Sequence, residues 1–227
     1  MNIDISKIET NEINLKSVVD LVLTELVPEL KPTDENFNFI SEKIKVISLN
    51  KGEYFIKEGK ISDNIGILLD QKSVLKAYYY DSTGKKRISR FFYSPDNIIV
   101  SSFESFREKT PARENIVAVN NCKLLTIERE NLYNIYKEIP AFNAVGRILM
   151  ETSYINALSK LREFQTLQGH ELVKSFYLKN KGLINTLEIQ DIASYLGLSR
   201  NKFSDHLKSI TKTSKKNFAP NGACKEK

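Results

Sequence analysis

Short apolar runs follow one another along residues 45–128, each marked off by residues that favour turns. The runs are 45–49, 54–56, 65–69, 74–80, 87–93, 98–100, 116–119 and 123–128. Between them stand Asn50-Lys51-Gly52, Glu58-Gly59, Asp81-Ser82-Thr83-Gly84 and Ser94-Pro95-Asp96, where glycine, proline and short polar side chains reverse the backbone. Strand-length runs at near-even spacing predict a small antiparallel sandwich or jelly roll. The flanks carry a different period. Residues 15–30 and 35–43 have helix-compatible apolar spacing, interrupted by Pro28 and Pro32. After Arg129 the strand pattern stops. Over 141–167 the residues Phe142, Val145, Leu149, Tyr154, Ile155, Leu158, Leu161 and Phe164 draw an apolar stripe down one long helix, opened by Pro140. Such a seam packs either on a second copy of itself or on the β domain. Gln168-Gly169 bends the chain before a further helix over 171–179.

Residues 185–210 read as two short helices broken by one tight turn, a helix-turn-helix that points toward DNA. Ile189, Ile192, Ala193 and Leu196 recur at helical spacing, and Phe203, Leu207 and Ile210 resume it beyond the turn. Gly197 stands where the backbone needs positive φ, Ser199 where an N-cap is wanted, and Leu198 can plug the corner. Thr186 is the expected N-cap of the first helix, with Glu188 in its first turn.

Charge points the same way. Residues 166–227 hold 11 Lys and Arg against 5 Asp and Glu, which is the whole +6 of the chain, while residues 1–165 carry 23 of each sign. The basic excess overlaps the motif whose second helix would need phosphate contacts. At 227 residues the chain is long enough to bury a proper core in one or two domains. It has no apolar run of transmembrane length, and its first residues are too polar for a signal peptide, so a cytoplasmic protein without membrane association is expected. Cys122 and Cys224 form no close pair, and His170 and His206 have no neighbouring ligand pattern. Neither a disulfide framework, a metal site nor an iron–sulfur cluster is indicated. The acidic residues fall in no recognisable catalytic spacing, and no nucleophile motif or phosphate-cradling glycine loop is present, so no enzyme activity and no cofactor are expected.

A β-roll, a long helix and a C-terminal helix-turn-helix, in that order, resemble the cyclic-AMP receptor protein and fumarate–nitrate regulator (Crp/Fnr) family of bacterial transcription factors. The likeness rests on Lys51-Gly52-Glu53 with Gly59, on residues 64–69 and 73–80, and on Gly84, Phe91 and Asp96. Phe103-Glu104-Ser105-Phe106 followed by Pro111-Ala112-Arg113 is similar to the form this domain takes in Bacteroidetes-type members. It covers roughly residues 35–210 and implies an α+β fold. Its parts would be an N-terminal helical segment (1–44), a β-roll sensor domain of cyclic-nucleotide-binding type (45–139), a linker and dimerisation helix (140–167), and a helix-turn-helix domain (168–227) with a reduced or absent wing.

The departures bear on ligand and operator. Nucleotide-binding members present a Gly-Glu pair and, about ten residues later, an Arg that neutralises the phosphate; here Ser101-Ser102 stand in place of the pair. Arg113 falls one or two residues late when counted back from Ile116, and in an extended segment a one-residue slip turns a side chain to the other face. Ser101, Ser102 and Arg113 are thus the candidate ligand residues of a degenerate pocket that does not bind cyclic AMP, Arg113 being either a surface residue or an anion contact. Lys72 stands near a turn where the family has Gly. Tyr78, Tyr80, Phe91 and Phe103 are aromatic candidates for lining an apolar pocket in the roll, or for plain core. In the reading helix, Arg200 matches the family's first base-reading Arg and can pair with guanine O6 and N7. Asn201 can read adenine or bond a phosphate, and Ser199, Lys202, Ser204 and Lys208 are candidates for backbone contacts. Asp205 stands where a second Arg is expected, and its charge would repel phosphate. Beyond Ile210, Lys212, Lys215 and Lys216 form either a basic tail along the phosphates or a solvated end. The resemblance implies a homodimeric regulator that binds double-stranded DNA, with RNA polymerase as a further partner and an effector that is unknown or absent. The alternative is a sensor or scaffold that does not bind DNA and keeps a degenerate helix-turn-helix.

Overall fold

A computed structural model describes residues 15–27 and 33–217. Two compact units divide the chain, Met1–Ser159 and Lys160–Lys227.

The first unit is a roll of two four-stranded antiparallel sheets. One runs in the order β1 (Ile44–Leu49), β8 (Cys122–Glu128), β3 (Asn64–Leu68), β6 (Ile99–Val100). The other runs β2 (Tyr54–Ile56), β7 (Asn115–Ala118), β4 (Leu75–Tyr80), β5 (Lys86–Phe92). All eight lie within one residue of the expected runs at each end. Alternation explains the packing. A Cβ on Gly66 would meet Leu124 of the neighbouring strand and Phe55 of the opposite sheet, so Gly66 and Leu124 face the interior. Leu68, Leu75, Ala77, Phe92, Ile116 and Ala118 fill that interior and are buried. Ile65, Ile67, Leu125 and Ile127 point to the other face of β3 and β8, where helices cover them. A sheet buried on both faces reads as near-continuous apolar sequence.

Those helices are α1 (Leu15–Leu26), α2 (Asp34–Ser41), α3 (Phe103–Glu108), α4 (Arg129–Glu138) and the start of α5 (Asn143–Thr166). α1 and α2 lie where helices were expected; residues 28–30, which that reading also placed in the first helix, lie outside the described residues. Thr33 caps α2 by accepting from the Asn36 backbone N–H at 3.2 Å, and Asp34 and Glu35 in its first turn suit the helix dipole. α3 and α4 are additions. The six residues of α3 are too few to show a period, whereas Leu132, Ile135, Tyr136 and Ile139 do carry the helical spacing that marks α4. Pro140–Phe142 forms a 3-10 turn, so the long helix begins at Asn143 rather than 141 and ends at Thr166. Its stripe divides by position. Val145 is buried and Phe142, Ile148 and Leu149 pack against the roll's core, while Met150, Tyr154, Ile155 and Leu161 are exposed. Gly146 is where α5 touches α4, because a Cβ there would fall 2.0 Å from the Tyr136 hydroxyl.

Near Lys72 the turn needs no glycine. Asp70 accepts from the backbone N–H groups of Lys72 (2.8 Å) and Ser73 (2.6 Å), and Asn120 donates to the Lys72 carbonyl. An aspartate that mimics a backbone turn replaces the conformational freedom of glycine.

Candidate nucleic-acid interface

The second unit contains the last turns of α5, then α6 (Gly169–Lys179), α7 (Lys181–Ile184), α8 (Ile189–Tyr195) and α9 (Arg200–Asn217). Its core is built from Leu172, Val173 and Phe176 of α6, Ile192 and Ala193 of α8, and Phe203 and Ile210 of α9, all buried. α8 ends in a Schellman motif. The Leu198 N–H donates to the Ala193 carbonyl at 2.8 Å and the Gly197 N–H to the Ser194 carbonyl at 3.2 Å, with Gly197 at φ +69°. Two residues on, Ser199 Oγ accepts from the Lys202 backbone N–H at 3.3 Å and caps α9. The turn is therefore closed on both sides by its own hydrogen bonds.

Two expected details do not hold. Thr186 does not cap the first helix; its backbone N–H donates to the Leu183 carbonyl and its hydroxyl to the Gly182 carbonyl, which closes α7 instead. The N-cap of α8 is Glu188, which makes no side-chain capping bond. Ile189 is 40% exposed and stands outside the buried stripe formed by Ile192, Ala193 and Leu196. The short helix α7 takes the first position because Leu183 and Leu187 are both drawn into the core.

At its start α9 presents Arg200, Asn201 and Lys202 to solvent, and Lys208 is exposed two turns later; Ser204 is half-buried. With Phe203, Leu207 and Ile210 turned inward, 100° per residue places Asn201, Asp205, Lys208 and Lys212 along the outermost ridge. Arg200 and Ser204 lie on one flank of that ridge and Lys202 on the other. Asp205 thus interrupts a ridge of polar and cationic side chains. α9 continues past the expected end at Ile210 to Asn217, so Lys212 belongs to the helix and the backbone at Lys215 and Lys216 is helical; residues 218–227 lie outside the described residues. His206 packs edge to face on His170 of α6, with ring centroids 5.9 Å apart.

The last turns of α5 are fastened to this unit. Glu163 accepts from the Ser175 hydroxyl, from Lys179 Nζ at 3.1 Å and from Lys160 Nζ at 3.4 Å. Burial pushes its carboxyl upward, but the Ser175 hydrogen bond and the two ammonium groups outweigh that and hold it below the usual carboxylate range. Phe164 stacks edge-on against Tyr195 of α8 at 5.5 Å, and Phe176 packs on the same ring at 6.0 Å. Burial, with the charge of Glu163 nearby, pushes the Tyr195 hydroxyl up to about 12. Glu163, Ser175 and Tyr195 were not among the expected functional residues. Only tertiary contact links them.

In the roll, Ser101 and Ser102 are buried at the entry to α3, and Ser101 Oγ has no hydrogen-bond partner. Arg90 lies on the same face of β5 as Phe92, donates to the Ser101 carbonyl at 3.3 Å and pairs with Glu114, which also accepts from Ser89. The guanidinium that bonds to Ser101 is therefore already neutralised. Ala112 enters the core, while Arg113 is 82% exposed and pairs with Glu104 at 3.4 Å. Arg90 and Glu114 escaped sequence reading, because an extra residue at Ser89 between two ladder pairs sets the face that Arg90 takes. Ser105, in the stretch that carries the family likeness, pins the segment: its hydroxyl accepts from the Ser62 N–H at 2.9 Å and donates to the Thr110 carbonyl at 2.5 Å.

No family model matches the chain, and no curated protein sequence matches it. Solved structures do. FixK2 from Bradyrhizobium japonicum superposes with a TM-score of 0.60 at 17% identity, over 79% of this chain and 89% of that one. CLP from Xanthomonas campestris, a c-di-GMP-responsive global regulator, gives 0.59 at 12% identity over 80% and 93%. A protein from Eubacterium rectale assigned to the crp/fnr family gives 0.59 at 15% over 83% and 87%. No helix among the described residues is long and apolar enough to cross a membrane, and no described cluster of His, Cys, Asp and Glu could hold a metal ion. With strand order, long helix and capped helix-turn-helix all in place, the chain has the Crp/Fnr-type fold.

Proposed function

We propose that the chain is a homodimeric, cytoplasmic, DNA-binding transcription regulator whose roll does not take cyclic AMP, and that it is not an enzyme. The observation that carries this reading is the start of α9, where Arg200, Asn201 and Lys202 are held in solvent by a hydrogen-bonded turn and a capped first turn. Arg200 would read guanine, Asn201 adenine, and Ser199, Lys202, Ser204 and Lys208 would hold phosphates. The +6 of residues 166–227 supplies the long-range attraction.

Dimerisation is supported by α5. Met150, Tyr154, Ala157 and Leu161 follow a four-three-four spacing and are exposed, as the open seam of a coiled coil would be. Because Glu163 and Phe164 fasten the end of α5 to α6 and α8, a change in how two α5 helices pair would carry the reading helices with it and alter their spacing. RNA polymerase would be the next partner on DNA. The reading that the roll does not take cyclic AMP is supported by Ser101-Ser102 in place of the carboxylate, by Arg113 lying exposed, and by the pairing of Arg90 with Glu114.

Gel-shift selection from genomic fragments tests the reading, with Arg200→Ala beside the native chain. Native protein is expected to select a defined site, and Arg200→Ala to lose roughly 1–3 kcal/mol of sequence preference while keeping salt-sensitive non-specific binding. Affinity no better than for random DNA at modest salt would favour the alternative, a sensor or scaffold in which Asp205 on the outer ridge has disabled the motif.

A further inference from the structure

The roll has a cavity on its helical side, and neither Ser101 nor Ser102 lines it. Its volume is about 290 Å³, and it is partly open to solvent. Its floor is the outer face of the first sheet, with Ile67, Leu125 and Ile127, and its walls include Val22 of α1, Phe103 of α3 and Leu149 of α5. Of the four aromatics that sequence reading offered for a pocket, Phe103 alone lines this cavity; Tyr78, Tyr80 and Phe91 lie on the other sheet.

Such a space is poorly suited to water, whose two to four hydrogen bonds need polar partners that an almost wholly apolar wall does not offer. Its volume approaches the lower end of small-molecule sites. Polar groups stand at its edge. Arg107 contributes to the lining, yet its side chain is 83% exposed, so its guanidinium stands at the mouth. Its ion-pair partner is the neighbouring Glu108 at 3.3 Å, itself 60% exposed, and pairs of that kind contribute little. The guanidinium is thus available to an anion. Tyr136, which also lines the space, sits against Gly146 where α4 and α5 touch.

We infer that this cavity is a binding site for a small amphiphilic acid, an acyl chain of about eight to ten carbons with its tail on Ile67 and Leu149 and its carboxylate at Arg107. Bound there, it would brace α4 against the start of α5. As an effector site this rests on the proposed regulatory function; as a binding site it does not.

Isothermal titration of the full-length chain, without DNA, decides it. Sodium octanoate and 1-octanol are the two probes, equal in chain length and differing in the charged head. Both are expected to bind saturably, one per chain, with Kd on the order of 0.1–1 mM for about ten non-hydrogen atoms. Arg107→Ala, at an exposed position, should weaken octanoate about fivefold and leave octanol within about twofold. Ile67→Trp and Leu149→Trp should abolish both. Failure of either Trp variant to fold leaves the decision with the Arg107 comparison. The inference is overturned by the absence of saturable uptake of either probe, which is also what a second copy's helix seated in the cavity would produce. Equal weakening of both probes by Arg107→Ala overturns it too, as does undiminished binding in natively folded Trp variants. Since no DNA is present, a negative result here leaves the gel-shift test of the regulator untouched.

Discussion

Arg129 is the buried cation that ties the first turn of α4 to the rest of the roll, and its removal has a calculable cost. Its Nε donates to the Phe106 carbonyl at 2.6 Å, closing the end of α3, and one Nη donates to the Ser62 carbonyl at 2.8 Å. The other Nη pairs with Asp63 at 2.9 Å, and the guanidinium lies 5.2 Å from the centre of the Phe106 ring. The side chain is 7% exposed, whereas Asp63 is 60% exposed. Arg129→Met keeps the aliphatic packing and strands two carbonyls, each at about 1–3 kcal/mol. The ion pair, whose carboxylate is exposed and rehydrates when Arg129 is removed, adds less than about 1 kcal/mol. Relief from burying a charge returns part of the sum, leaving a net loss of about 2–4 kcal/mol. Against a domain stability of about 5–15 kcal/mol this is large. Urea unfolding followed by tyrosine fluorescence should show the first transition shifted down by about 1 M, taking a slope of about 2–3 kcal/mol per M. Hydrogen exchange should quicken in α3 and α4 and stay unchanged in α6 and α9. Arg129→Lys, which keeps the charge but reaches fewer acceptors, should fall between. A midpoint shift under about 0.3 M with native protection in α3 would refute the assignment of Arg129 as the pin of this segment.

Four further outcomes are expected. Gly197→Ala forces a Cβ onto a residue at φ +69° and should destabilise the second unit by about 1 kcal/mol, with Asn at the same position milder, as read by exchange of α8 and α9 amides. Glu163 has a depressed carboxyl, so its contribution is present above the ordinary value of about 4.3 and is lost as pH falls through the lower folded value. Glu163→Gln should therefore weaken the second unit at neutral pH by about 1–2 kcal/mol and flatten its acid destabilisation below about pH 4.5, measured by urea midpoints across pH. Tyr154→Glu with Leu161→Glu places like charges along the exposed seam of α5; sedimentation should then find monomers and gel shifts at least a tenfold loss of site affinity, and dimers that persist would sink the seam. Burial pushes the Cys122 thiol up, so in a Cys224→Ser background it should resist thiol reagents near pH 8 until denaturant is added.

Local chemistry reached far into this molecule. Eight strands were legible because each run is short, strongly apolar and closed by turn residues, and the helix-turn-helix because Gly197 and Ser199 impose a positive φ and a cap through bonds to residues within five positions. Where the local signal is weak, packing between distant segments decides. α3 is shorter than two turns, and Thr186 satisfied the capping rule but lost the position to α7 once Leu183 and Leu187 were buried. The charge on residues 166–227 was countable from composition, whereas the ridge that Asn201, Asp205, Lys208 and Lys212 share depends on which face of α9 Phe203 and Ile210 bury. Other features have no local origin at all. The pairing of Arg90 with Glu114 spans two strands and a bulge, Arg129 reaches carbonyls 23 and 67 positions away, and the cavity exists only because five helices and one sheet meet without filling the space between them. The sequence on its own determined the eight strands, the turns between them and helices α1, α2, α5, α6, α8 and α9, since those follow from backbone preference and periodicity over a few residues, whereas α3, α4 and α7 were not among the expected elements. Which polar groups face each other, which are left free, and where a ligand can enter were decided by packing between segments far apart in the chain, because burial and charge pairing are properties of the assembled core.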